Sequence, residues 1–295
     1  MATDRDLVQG RLEEELAGLD ALDALRPEQG PGLAARAWAA LWPKAVAMFG
    51  VFAVWQIVVW SHWKPPYALP GPTTVLPELA RQAKTLSFWH AVATTMRRAM
   101  TGFGLAVTIG TVLGIGVSRS SILKRGFGSF LTGLQSMPSI VWFPLAILLF
   151  KLSEGAILFV VVLGAAPSIA NGLVSGVDHI PPLLLRAGKM LGARGMDSLR
   201  HVVLPAALPG YVAGLKQGWA FSWRSLLAGE LLVDIAARSS IGAALNQARE
   251  LNDATGLLAM MIVVFLIGVL IDGLVFSSFE RQIRRRRGLI EVGAS

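Results

Sequence analysis

The 295-residue chain is 54% hydrophobic and 16% charged, against roughly 25% charged residues in soluble globular domains. That balance favours one polytopic membrane domain over an ordinary soluble protein. It has no cysteine, which excludes disulfides, thiolate metal sites and a cysteine nucleophile. The net charge of +8 does not argue for nucleic acid, since much of it borders apolar runs, where lysine and arginine collect on the cytoplasmic side of a membrane.

Residues 1–44 form a cytoplasmic extension. Leu12, Leu16, Leu19 and Leu22 recur at helical spacing, and Glu13, Glu14, Glu15, Asp20 and Asp23 fill much of the remainder. An acidic amphipathic helix repels anionic lipid, so a partner-binding helix and a free tail both remain open readings. The acidic flank is also wrong for a cleavable signal peptide.

A membrane domain is expected over residues 45–280. A spanning helix needs about 20 apolar residues. Uncharged runs at Ala45–Trp63, Ala99–Ser118, Gly126–Phe150, Gly155–Val177 and Ala254–Ile271 approach or exceed that length. A further span is expected over Ala207–Leu232, although Lys216, Arg224 and Glu230 interrupt it. If that stretch is re-entrant, five spans remain. With six, both termini lie in the cytoplasm. The strongest support for this orientation is the basic tail, residues 281–295, with Arg281 and Arg284–Arg287.

Between the fourth and fifth runs lies a polar loop, residues 178–206. Pro181-Pro182 suits the first turn of a helix, where a missing N–H costs nothing. The spacing predicts a short helix over Leu183–Leu191, a sharp turn at Gly192 and Gly195, and a second helix over Met196–Val203. Pro205 is expected to end that second helix.

Several chemistries are missing. No G-x-x-x-x-G-K-[ST] loop cradles phosphates, and none of the four histidines, His62, His90, His179 and His201, forms an H-E-x-x-H pair. No Ser/His/Asp set assembles. Gly102–Gly104 and Gly110–Gly116 lie inside apolar spans, where close helix packing explains them. The residues describe a non-enzymatic transport subunit with no metal or cofactor of its own.

A buried arginine is expensive in a membrane, about 2.5–3.5 kcal/mol at the helix centre. Arg224 therefore either lines a wet pathway or pairs with a neighbouring span. Glu230 is six positions away, a poor spacing for a direct pair on one helix. Arg97 and Arg98 fit interface snorkelling. Met137, Trp142 and Trp223 could form an apolar gate beside Arg224 and Glu230, or pack in the core. Asp272 is expected near the inner boundary.

The loop RAGKMLGARGMDSLRHVVLP, Arg186–Pro205, resembles the cytoplasmic coupling loop of ATP-binding cassette (ABC) importer permeases. That pattern reads Glu-Ala-Ala, three residues, Gly, nine residues, Ile, one residue, Leu-Pro. Arg186, Ala187 and Gly188 occupy the first three positions, and Gly192, Val202, Leu204 and Pro205 the rest. Arg186 replaces the acid, and Gly188 replaces an alanine. Leu69–Leu76, LPGPTTVL, resembles the Leu-Pro-x-Pro-x-x-Val motif of sulfonate, taurine and nitrate permeases. Leu134–Phe150 and His201–Trp223 resemble the family's third span and its entry into the fifth.

The resemblance implies an all-α permease of the binding-protein-dependent type I class, with about six transmembrane helices in the cell (inner) membrane. It also implies a second permease copy, two ATPase subunits carrying ATP and Mg, and an extracytoplasmic solute-binding protein. Lipid surrounds the complex, and no nucleic acid is involved. The implied solute is a small oxyanion: aliphatic sulfonate or taurine first, nitrate or bicarbonate next. An ion-coupled carrier and an integral-membrane enzyme are the alternatives. At Arg186, the implied ATPase contact calls for a compensating acid on the partner, unless the arginine is simply solvated.

Overall fold

The computed structural model describes residues 33–233, 235 and 239–286. The leucine-spaced segment of the extension and the end of the basic tail lie outside them. Among the described residues all regular structure is helical.

The chain divides into two units. The first, ending at Trp63, contains helix α1, Leu33–Trp60, with Pro43 inside it. Its large apolar side chains Phe49, Val51, Val54 and Trp60 are exposed. Its apolar part, Ala45–Trp60, falls short of the usual spanning length.

The second unit begins with α2, Pro72–Gln82, which has proline in its first turn. Helix α3, Leu86–Ser118, follows. Its N-cap Thr85 accepts the Phe88 N–H, filling one of the bonds a helix start leaves open. Helix α4, Ser121–Ser136, then meets a short 3₁₀ turn at Ser139–Trp142 and helix α5, Phe143–Phe150. The expected straight span Gly126–Phe150 is instead bent by 98°. Pro138 is the cause. A residue before proline is pushed out of the helical region, and Met137 has φ −75° and ψ 131°.

Helix α6, Glu154–Asp178, is the packing centre. It lies between α3 and α8, the latter running Leu204–Leu232. Small residues make this possible. A Cβ added at Gly172 would lie 2.4 Å from Gly214 Cα, and one at Gly210 would lie 2.5 Å from Gly176 Cα. Two Gly-x-x-x-Gly pairs, Gly172/Gly176 and Gly210/Gly214, thus form one seam in which the backbones touch. Lipid does not drive helices together as water does, so such close contact supplies much of the association. On the other side of α6, Gly102, Gly110 and Gly114 of α3 receive Val161, Ile169 and Leu173. Phe143, Ile157, Val160, Trp219 and Leu226 fill the main core cluster.

Helix α7 is Pro182–Met190, and three further helices complete the unit. Helix α9, Ile241–Glu250, is capped by Ser240. Helix α10, Ala254–Ile271, is capped by Asp253. It passes through a π-helical turn, Asp272–Phe276, into α11, Ser277–Arg286. By length and composition α3, α6 and the continuous helix Ala254–Phe279 can cross a membrane, and the bent pair makes a fourth. Helix α8, at about 1.5 Å per residue, is long enough as well but carries three charges.

One boundary departs from the sequence expectation. Pro205 does not end a helix. From Met196 the chain turns once as α-helix and then, over Leu199–Val203, as π-helix, and runs directly into α8. Proline cannot donate to the carbonyl four residues back and would crowd it. That carbonyl belongs to His201, inside the π turn, where the wider winding accommodates the ring.

Candidate functional site

The polar loop is built as a rigid corner. Helix α7 ends in a Schellman motif: the Ala193 N–H donates to the Gly188 carbonyl at 2.9 Å, and the Gly192 N–H to that of Lys189 at 3.1 Å. Gly192 has φ +85° and Gly195 φ +53°, a region that favours glycine. Glycine at 188 serves a different need. A Cβ there would lie 2.7 Å from Val202 Cγ2, so the bare glycine lets Val202 close the two limbs against each other.

On the outside of this corner, Leu183, Arg186 and Met190 recur at i, i+3 and i+7, on one helix face. All three are exposed, and Leu191 is 89% exposed beside them. Ala187 is half-buried, and Leu204 and Pro205 are exposed. A soluble surface rarely leaves such side chains open without a partner. Nearby, Lys124 at the start of α4 pairs with Asp178 at the end of α6, tying the loop's root to the bundle.

The charges of the long helices form two separate groups. In the first, Arg98 is only 4% exposed. Its Nη1 donates to Glu230 Oε1 at 2.9 Å, and its Nη2 to Glu154 Oε1 at 3.3 Å. Arg97 reaches the same Glu154 oxygen at 3.2 Å. The Thr95 hydroxyl donates to Glu230 Oε2 at 2.8 Å and accepts the Ile241 N–H at 2.9 Å. The Gly242 N–H donates to Glu230 Oε2 at 3.0 Å. Glu230 thereby caps α9, where carboxylates are favoured. Two expectations change. Arg98 is an interior ion-pair residue, because carboxylates from α6 and α8 meet it there, whereas snorkelling needs an open interface. Glu230, expected to line a pathway, is buried within this network.

The second group surrounds a cavity of about 500 Å³ lined by α8, Gly268 of α10 and Asp272. Lys216, Ala220 and Arg224 recur every four residues and therefore share a helix face. Lys216 Nζ lies 3.3 Å from Asp272 Oδ1, so Asp272 lines the cavity as a counter-ion. Arg224 donates through Nε to its own helix's Ala220 carbonyl at 3.0 Å. Its guanidinium sits 4.7 Å from the Phe221 ring centroid, a cation–π distance. It makes no ion pair among the described residues. Trp223 stacks on Trp219 at 6.2 Å in the cavity wall.

Of the five expected pathway residues, Trp223 and Arg224 come together here. Met137 is exposed at the α4–α5 bend, and Trp142 packs on the main core cluster. Sequence reasoning missed the pairing of Lys216 with Asp272 and the place of Gln217 in the wall. The four-residue recurrence of Lys216 and Arg224 was the signal available.

Taken together, an all-helical bundle with a rigid polar corner between two long helices fits a transport permease. The model of the family described as "binding-protein-dependent transport system inner membrane component" matches residues 106–285. The chain belongs to that family of ABC importer permeases and is a multi-pass membrane protein. It is 27% identical over 227 residues to the taurine transport system permease protein TauC of Escherichia coli (strain K12), covering 75% of this chain and 82% of that protein. It is 29% identical to SsuC of the same organism, a permease named for aliphatic sulfonates, covering 76% and 84%. A crystal structure of an amino acid ABC transporter with histidines shares the fold, with TM-score 0.57 and 16% identity over 69% of this chain and 97% of that one.

Proposed function

We propose that this chain is the membrane subunit of an ATP-driven importer for a small oxyanion, coupled to separate ATPase subunits through Arg186–Pro205. Two copies would enclose the pathway, with the termini in the cytoplasm. A binding protein would deliver the solute outside, and ATP and Mg would reside on the partner ATPases. The observation that carries this reading is the loop's construction. Both limbs are locked by the Schellman bonds and the Gly188–Val202 contact, while Leu183, Met190 and Leu191 face outward. A stiff lever with an apolar contact face transmits displacement that a flexible loop would absorb. The oxyanion class is supported by Arg224, which has no ion pair among the described residues and lies beside an aromatic wall, and by the names of the two relatives. Arg186, exposed on the same contact face, would meet an acid on its cognate ATPase.

The test is ATP hydrolysis in liposomes by this chain together with its ATPase. No side chain would clash at Gly192, since a Cβ there meets nothing within 4 Å. The cost of Gly192→Val is therefore conformational, at least about 1–2 kcal/mol for left-handed backbone. Stimulated hydrolysis should fall by about tenfold in Gly192→Val, with unchanged membrane insertion, and should persist in Gly192→Asn, which tolerates positive φ. Equal hydrolysis by wild type and Gly192→Val would remove the loop from coupling.

A further inference from the structure

The geometry points to the cavity between α8 and the α10 end as an intramembrane binding site for an anion with an oxygen-rich head and a short apolar body. It rests on the permease reading above and adds a location, a recognising cation and a shape. The recognising group is Arg224.

The acidic side chains described in the spanning helices are already engaged. Glu154 and Glu230 hold Arg97 and Arg98, Asp178 holds Lys124, and Asp272 holds Lys216. Arg224 pairs with none of them, and its terminal nitrogens donate to no described protein atom. The described residues therefore leave a guanidinium in a long helix of the bundle, facing a partly open cavity, without a counter-charge among them. The same is true of two neutral donors. The Gln217 amide and the Trp223 indole N–H line the cavity without a hydrogen-bond partner among the described residues.

Guanidinium, amide and indole N–H are donors, and guanidinium takes oxyanions in a bidentate fork. The rest of the wall is apolar: the stacked Trp219–Trp223 pair, Ala220 and Gly268. A volume of about 500 Å³ lies within the usual range for small-molecule sites. A bare inorganic oxyanion would satisfy the donors and leave the tryptophan wall wet. An alkylsulfonate-like anion satisfies both. Lys216 is a second cation in the wall and Asp272, which pairs with it, is an anion there, so the site's net charge depends on both.

The test uses the full-length permease–ATPase complex in nanodiscs, without a binding protein. Binding of butane-1-sulfonate, nitrate and neutral 1-butanol is measured by equilibrium dialysis. ATP hydrolysis is followed on the same samples. Butane-1-sulfonate should bind more tightly than nitrate, with 1-butanol negligible. Arg224→Gln should weaken butane-1-sulfonate by about ten- to a hundredfold, the range for a charge-assisted hydrogen bond. Arg224→Lys should recover part of the loss. Asp272→Asn should strengthen binding several-fold by removing a negative charge from the cavity wall, a gain that misfolding cannot mimic.

Equal binding by wild type and Arg224→Gln, or no binding by wild type, overturns the site. Nitrate binding as tightly as butane-1-sulfonate overturns the apolar-body assignment. Hydrolysis separates the two readings: if ATP turnover persists while butane-1-sulfonate fails to bind, the site falls and the permease reading stands. If no ATPase associates, the coupling reading falls while the dialysis result still decides the site.

Discussion

Arg98 and Arg224 are both arginines in long helices of the bundle, yet the protein treats them oppositely. Arg98 is enclosed by Glu154 and Glu230, and Glu230 in turn accepts the Thr95 hydroxyl and the Gly242 N–H of α9. Arg224 has a carbonyl of its own helix and one aromatic ring. Desolvating a charge costs several kcal/mol unless partners answer it. Where carboxylates answer it, the arginine becomes architecture and ties four elements together. Where none does, the cost is reduced by water or a ligand, and the residue stays available for chemistry.

The sharpest way to break this comparison is to measure stability at both sites. Arg98→Ala would leave Glu230 buried without its cation, and Glu230→Ala would strand Arg98. Each should lower folding stability by about 3–5 kcal/mol, seen as a large fall in the thermal midpoint in nanodiscs. The double variant should lose less than the sum, because the two side chains interact directly. Arg224→Gln without ligand should leave the midpoint near wild type. A loss at Arg224 matching that at Arg98 would erase the distinction between spent and free arginine.

A second contrast separates glycines that hold helices together from glycines that merely lie in helices. At Gly214 an added Cβ would meet Gly172 Cα at 2.7 Å, whereas at Gly116 it meets nothing within 4 Å. Backbone cannot rotate aside as a side chain can. Gly214→Val should therefore destabilise by about 1–3 kcal/mol, the range for overpacking. Gly116→Ala should be neutral or slightly stabilising through better helix propensity. Parallel thermal melts of the two variants check this, and equal losses would show that the seam is looser than its contacts imply.

The same contrast explains what the sequence revealed. The helix Pro182–Met190 and the Gly192 turn were legible because proline, glycine and apolar spacing act locally. The family model match over residues 106–285 accords with motifs read from Arg186–Pro205 and Leu134–Phe150. What escaped was non-local or contextual. Arg98 and Glu230 are 132 residues apart, and nothing in either neighbourhood announces the other. Lys216 and Asp272 meet only because α10 returns beside α8. The bend at Met137–Pro138 was masked by an unbroken apolar run, although proline carried the warning. At Pro205 the rule that proline stops a helix was overridden by a π turn, a register change that composition does not display.

The smallest effect belongs to an ion pair at the opposite extreme from Arg98. On α2, Arg81 donates to Glu78 at 2.6 Å while remaining largely exposed. The hydrogen bond from Arg81 holds the Glu78 carboxyl below its ordinary value of 4.5. Partial burial opposes this, and the Gln82 amide and the Arg81 charge add to the lowering. A carboxyl whose value is lower in the folded chain binds its proton more readily when unfolded. Its contribution is therefore present above pH 4.5 and declines as pH falls through the folded value. Because solvent screens an exposed pair, the loss should be slight. Thermal midpoints of wild type and Glu78→Gln should differ a little at neutral pH and converge on acidification. A difference that widens with falling pH would reverse the assigned sign. A difference comparable to that of Arg98→Ala would show that burial is not what separates structural from dispensable ion pairs in this protein.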